Sequence, residues 1–352
     1  MRVKQAKDAA RQWVLAEART IPGFVGAFSH GSVNWLPDDA ILPPTSDVDI
    51  LVVVADPNPP GKIGKLVYRD VMLEVSYLPR HQLQSPERIL REYHLAGSFR
   101  MASILADPSG RLTRLQAAVA KDYAKRRWVY ARCEHARAKV LRHLQSLSES
   151  APLHDQVAAW LFAAGVTTHV LLVAGLQNPT VRRRYVAARE LLVEYGHADF
   201  YPSLLELLGC AHMGRARVEQ HLAALTDVFD AAKAVIRTPF PFAADISDRA
   251  RPVAIDGSRE FIERGDHREA IFWIVATYSR CEKVLYHDAP ADLRQRFRPG
   301  YQQLLADLGI TSPADLQHRS AQVRAFLPRL WTVTEAILAA NPGIEEAPGG
   351  QS

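Results

Sequence analysis

Short runs in which apolar and polar residues alternate fill much of the first hundred positions, and longer runs of helical period fill the rest. Three short runs read as strands: Phe24 to His30, running into Gly31-Ser32; Ser46 to Val54; and Val71 to Tyr77. In the second, a period of two sends Asp47, Asp49, Leu51 and Val53 to one face and Val48, Ile50, Val52 and Val54 to the other. In the third, Glu74 shares a face with Met72 and Ser76, while Val71, Leu73, Val75 and Tyr77 turn away. If these two strands are neighbours, three carboxylates converge on one spot. Like charges gathered in this way require a counter-charge.

Around the strands, Val3 to Arg19 reads as a helix stopped by Pro22-Gly23. Ser85-Pro86-Glu87 carries an N-cap, a proline at the first helical position and an acid in the first turn, so a helix is expected to about His94. Ser98 to Leu105 is expected to be a further strand, closed by an Asp107-Pro108-Ser109-Gly110 turn in which Asp107 bonds the backbone. Gly61 to Lys65 is expected to be a hairpin with solvated lysines. Its spacing is wrong for a phosphate loop, and Leu66 stands where Ser or Thr is needed.

From Leu112 onward strand patterns stop. Helices are expected between Leu115 and Leu147, over Ala158–Leu176, Thr180–Tyr195, Pro202–Gly209 and Ala216–Ile236, from Asp266 (with Glu269 as a capping-box variant), from Ser312-Pro313, and over Phe326–Ala340. The fold class is therefore α+β. A small mixed sheet with helices occupies 1–114, an all-α helical bundle 115–340, and a disordered polar tail 341–352.

Composition adds limits. With 43 basic and 38 acidic side chains the net charge is +5, a balance that suits a mildly basic triphosphate cleft. The basic residues from Lys121 to Arg142, among them Lys125, Arg126, Arg132 and Arg137, read as a solvated helix face. Trp128 and Tyr130 alone do not make the interleaved aromatic stripe that nucleic acid calls for. Cys133, Cys210 and Cys281 match no metal or redox spacing, which suits a reducing, cytoplasmic setting. Met1 to Arg19 lacks the apolar core of a signal peptide. Ala158–Leu176 is nineteen residues without formal charge, yet its threonines, His169 and glycines mark it as the buried centre of a bundle rather than a membrane span.

The natural counter-charge for Asp47, Asp49 and Glu74 is a hard divalent cation, Mg2+, which takes carboxylate oxygens together with substrate phosphates. Two such ions can serve an in-line displacement at phosphorus. Gly31-Ser32 lets backbone N–H groups approach a phosphate, with the serine hydroxyl as a further donor. His30 reads as a packing or supporting residue, since magnesium prefers oxygen.

Gly31-Ser32, Ser46-Asp47-Val48-Asp49-Ile50 and Leu73-Glu74-Val75, in that order, resemble the nucleotidyltransferase superfamily typified by DNA polymerase β. Within it they are most similar to bacterial enzymes that adenylylate aminoglycosides and lincosamides. The resemblance covers roughly the first third of the chain and implies a polymerase-β-like catalytic domain followed by a helical acceptor-binding domain. It implies that Asp47 and Asp49 hold magnesium (two ions), and that Glu74 is a third ligand or the base that deprotonates the acceptor. Gly31, Ser32 and Ser46 would contact the nucleotide. The implied reaction moves a nucleoside monophosphate, AMP from ATP or the equivalent from another NTP, to a hydroxyl of a small acceptor and releases pyrophosphate. A protein side chain or an RNA end as acceptor, and a non-catalytic nucleotide-binding module of the same fold, stay open. No membrane partner is expected, and the protein would be a monomer or homodimer.

Overall fold

The computed structural model describes residues 1–59 and 62–346. Pro60, Gly61 and the last six residues of the expected tail lie outside the described residues. The chain is mixed α/β, with a five-stranded sheet near its N-terminus and helices after it. It divides into two compact units. The first holds residues 1–135, the short stretch Leu176–Pro179 and the described residues from Pro342 onward; the second holds Ala136–Gly175 and Thr180–Asn341. The division falls inside a helix after His135 rather than at the expected 114.

In the first unit the order is α1 (Val3–Ala16), β1 (Phe24–His30), β2 (Val48–Val54), β3 (Gly64–Tyr68), β4 (Val71–Pro79), α2 (Pro86–Arg91), α3 (Ala96–Phe99), β5 (Ile104–Ala106) and α4 (Arg111–Asp122). The first turns of α5 (Arg126–Gln145) follow. The strand order is β3-β4-β2-β1-β5. β2 and β4 run parallel, and every other pair is antiparallel. The alternation expected in β2 and β4 is what fixes the sheet's two faces. Val48, Ile50, Val52, Val54, Val71, Leu73 and Val75 enter one core with Val3, Ala6, Ala10, Trp13 and Val14 of α1. Phe28 and Val53 enter a second core with Ile89, Leu90, Phe99, Leu112, Leu115, Val119 and Trp128. The sheet is thus covered on both faces, as its parallel pair at the centre requires.

Ser85 caps α2 as expected, accepting from the Arg88 amide at 3.3 Å, but the helix stops at Arg91. Asp107 does bond the backbone, accepting from the Thr113 amide at 2.8 Å. Two expectations fail here. Ser98–Leu105 is not one strand: Ala96–Phe99 is a helical turn that buries Phe99 against Phe28 at 4.8 Å, and only Ile104–Ala106 pairs in the sheet. Arg132 is not on a solvated face. It is 1% exposed, donates to the carbonyls of Leu90 at 3.2 Å and Tyr123 at 2.7 Å, and lies over the Tyr123 ring. These bonds tie the ends of α2 and α4 to α5. The described part of the expected tail, 341–346, makes defined contacts. The Glu345 carbonyl accepts from the Arg126 amide at 2.9 Å, and the Glu346 carboxylate accepts from the Arg126 guanidinium.

The second unit is all helical: the rest of α5, then α6 (Leu153–Ala174), α7 (Arg184–Glu194), α8 (Tyr201–Leu208), α9 (Arg215–Val235), α10 (Gly257–Glu263), α11 (His267–Asp288), α12 (Ala291–Asp307) and α13 (Pro313–Ala340). The apolar α6 is its axis, packed by α7, α8, α11 and α13. Of the apolar stretch long enough to cross a bilayer, 89% is buried inside the protein. Ser312 and Asp315 form a reciprocal capping box at the start of α13. Asp266 and Glu269 do not form one. Arg189 binds them instead, at 2.8 and 2.7 Å, and Tyr201 donates to Glu269 at 2.6 Å.

Candidate metal centre

β2 is the pivot of the site, because its register fixes the neighbours of Asp49 on both sides. His30 of β1 stands opposite Asp49, Glu74 of β4 is its partner on the parallel side, and Lys65 of β3 is opposite Glu74. Four strands therefore set His30, Asp49, Glu74 and Lys65 in one row across the sheet, and Asp47 precedes Asp49 by two residues on the same face. One carboxylate oxygen from each of Asp47, Asp49 and Glu74 lies within 4.8 Å of the others. The three acids expected to converge are brought together.

Gly31, at the end of β1, is held against this row. Its φ of +69° and ψ of −154° belong to a region that side chains avoid. A Cβ built there would stand 2.0 Å from an Asp49 oxygen. The turn that presents it is fastened by buried groups. Ser29 Oγ donates to Asn34 Oδ1 at 2.6 Å, Asn34 Nδ2 donates back to the Ser29 carbonyl at 2.7 Å, and the Ser29 amide donates to the Ser103 carbonyl at 2.8 Å. Ser32 opens a single 3-10 turn, Ser32–Trp35. Ser46 immediately precedes Asp47, and its amide donates to the Pro43 carbonyl at 3.0 Å, closing the turn that leads into β2. The proline-rich loop before it is tied to the start of α1, with Lys7 on Asp38 at 2.9 Å and the Leu42 amide on the Met1 carbonyl at 2.9 Å.

Two cations, missed as site residues, stand among the acids. The Lys65 ammonium contacts both Asp47 and Glu74, and Lys62 donates to Glu74 at 2.6 Å. The Lys65 side chain is only 5% exposed, so the solvated hairpin lysine expected here is a buried ion-pair partner. The reason is the pleat: Leu66 and Tyr68 pack on the α1 core, which sends Lys65 to the side that Glu74 occupies. Arg69 and Asp70, both at positive φ, make the two-residue turn that fixes this register.

The electrostatics follow from position. Burial and then repulsion from Asp47 and Glu74 lift the Asp49 carboxyl well above the usual carboxylate range. Lys65 and Lys62 overcome the cost of burial at Glu74 and hold it down at about 2, while Asp47 and Glu74 in turn raise Lys65. Burial lowers His30 to about 4, so it is neutral, and its Nδ1 shares a 2.7 Å hydrogen bond with Ser98 Oγ. Two ammonium groups match only two of the three carboxylates, and Asp49 is the one left over and pushed toward its protonated form.

An all-oxygen donor set of this kind fits magnesium. Octahedral oxygens at about 2.1 Å from the ion stand about 3–4 Å apart, a spread that the three carboxylates reach with side-chain adjustments alone. For the ion to bind Asp47 and Glu74, Lys65 must give up at least one of its contacts. No family model matches the chain, and no curated protein matches it by sequence.

Proposed function

We propose that the protein is a Mg2+-dependent nucleotidyltransferase with a polymerase-β-like catalytic domain, moving a nucleoside monophosphate from ATP or another NTP to a hydroxyl of a small, aminoglycoside-like acceptor. One observation carries the reading: Asp49 and Glu74 are register partners on adjoining parallel strands, with Asp47 beside them and Gly31 pressed against Asp49. Asp47, Asp49 and Glu74 would hold the magnesium, which when bound supplies charge neutralisation for attack at the α-phosphorus. The acceptor hydroxyl gives its proton to solvent water as its oxygen forms the new bond to that phosphorus, the bond to the bridging oxygen of the β-phosphate breaks, and pyrophosphate leaves.

The chain's own residues divide the remaining work. Gly31, having no side chain, would let backbone N–H groups of its turn approach a phosphate beside Asp49, and Ser32 would add a hydroxyl. Ser29 and Asn34 hold that turn in place. Glu74, kept ionised at about 2 by two lysines, is a weak proton acceptor, which favours its role as a ligand over that of base. Lys65 and Lys62 neutralise the acids until the ion and triphosphate arrive, and then become cations for the phosphates.

The test is incubation with α-labelled nucleoside triphosphates, Mg2+ and a panel of aminoglycosides, lincosamides and simple alcohols. Label transfer with pyrophosphate release is expected, and the absence of both with every triphosphate would sink the reading. The lysine contacts also favour a second possibility, a nucleotide-binding module whose acids are already neutralised from within. Calorimetry that finds triphosphate binding unchanged by chelation of magnesium, without transfer, would favour that module.

A further inference from the structure

The turn that follows α2 gathers a second set of ligating atoms, away from the acid row. Glu92 closes that helix with its amide on the Ile89 carbonyl at 3.0 Å, and its own carbonyl accepts from the amides of Leu95 and Ala96 at 3.0 and 2.9 Å. This tight double bond fixes where the Glu92 and His94 side chains emerge. His135, on α5, comes to meet them. Glu92 Oε2 lies 3.7 Å from His94 Nε2 and 3.5 Å from His135 Nε2. One ligand atom from each residue falls within 4.8 Å of the other two. The buried Tyr93 ring backs both imidazoles, with centroids at 5.4 and 5.5 Å.

We propose that Glu92, His94 and His135 form a binding site for a borderline divalent transition metal, Zn2+ or its chemical like, with a fourth position open to water or a ligand. The donor set decides the class. Two imidazoles and a carboxylate suit zinc, whereas magnesium and calcium prefer oxygen alone. The spacing agrees: tetrahedral ligands at about 2.0–2.1 Å from an ion stand roughly 3.4 Å apart. The two separations from Glu92 exceed that by only a few tenths of an ångström. His94 is half exposed and Glu92 and His135 about a quarter, so an ion has a way in. Binding has one local cost. The Tyr93 amide donates to His135 Nδ1 over 3.4 Å. Ligation through Nε2 leaves the ring proton on Nδ1, so that long bond opens. In return the ion clips the turn after α2 to α5, two segments far apart in sequence. This proposal does not depend on the nucleotidyltransferase reading, because it uses none of the acid-row residues.

The experiment uses the full chain, stripped by a chelator and returned to buffer containing Mg2+. Zinc binding is followed by calorimetry, cobalt binding by visible absorption, and the Tyr93 amide by two-dimensional NMR. One tight equivalent of zinc, a tetrahedral cobalt spectrum and a shifted Tyr93 amide are expected. His94→Ala, at a half-exposed position that the fold tolerates, should weaken that equivalent by more than about 100-fold. His94→Cys should retain it through a thiolate, and Asp49→Asn should leave it intact. Equal melting temperatures of the metal-free forms check that His94→Ala is folded. Zinc uptake by His94→Ala with wild-type stoichiometry and affinity would overturn the proposal. So would a cobalt complex of octahedral type, or a Tyr93 amide that zinc does not move.

Discussion

In the helical unit, Glu269 is 3% exposed and is met by Arg189 and by the Tyr201 hydroxyl, while Asp307 is met by both Arg217 and His221. Along the sheet, three carboxylates meet two lysines. These two pairings are complete: Glu269 and Asp307 each have a cation and a neutral donor, and little is left over for a ligand. The same holds at one concavity of the unit, of about 500 Å3, where Arg217 is taken by Asp307 and Arg319 by the Glu206 and Leu308 carbonyls. The sheet's row holds one carboxyl more than it has ammonium groups, and that member, Asp49, is pushed toward its neutral form for want of a counter-charge. Buried charges that are fully paired hold a fold in one arrangement; an unbalanced group attracts something from outside.

That contrast can be broken at four points. Replacing Asp49 with Asn should leave the fold intact, since its carboxyl is already biased toward neutrality, while label transfer falls by about 10³-fold. An equal rate in the variant would show that the row's third carboxyl has no catalytic use. In the helical unit the converse holds. Glu269→Ala strands the Tyr201 hydroxyl and half of the Arg189 pairing, and should cost about 3 kcal/mol in denaturant unfolding with no direct loss at the acid row.

Lys65→Met tests whether the row relies on internal cations. In chelator the variant should lose about 2–3 kcal/mol, because Asp47 loses its ammonium contact while Glu74 keeps that of Lys62. Added Mg2+ should restore more stability to it than to the parent chain, since no ammonium has to be displaced. A variant whose unfolding is indifferent to Mg2+ would count against a magnesium site.

The smallest effect is set by pH. Burial lifts the Glu282 carboxyl of α11 from 4.5 to about 7, with Arg298 offsetting part of the rise, and one of its oxygens is buried without a hydrogen-bond partner. A raised folded-state pKa means that the group is neutral in both states below about 4.5. Its burial becomes costly as pH climbs from there through 7. Glu282→Gln should therefore stabilise the protein by about 2 kcal/mol at pH 8 and leave it unchanged at pH 4 in thermal melts.

Much of the acid row was legible because a strand has a period of two. Asp47 and Asp49 must share a face, and the aliphatic residues between and after them, Val48, Ile50 and Val52, show which face is the core. Lys65 obeyed the same rule and was still missed. Leu66 and Tyr68 mark the core side of β3, but that strand is only five residues long and begins inside a glycine- and lysine-bearing stretch that reads as a hairpin. Ser98–Leu105 had enough apolar residues for a strand, yet burying Phe99 beside Phe28 wins over extending the sheet edge. Asp266 and Glu269 had capping-box spacing. Their true partner, Arg189, is brought in by the packing of another helix, which local spacing does not encode. The same is true of Arg132, whose burial depends on two carbonyls belonging to other helix ends.

Gly31 carries no charged side chain, yet a methyl group added to it would stand 2.0 Å from an Asp49 oxygen, nearer than any real contact allows. A saturation screen confined to uncharged positions would therefore still locate this centre. At residue 31 even alanine, the mildest replacement for every other small residue, should act as a wedge between strand end and carboxylate.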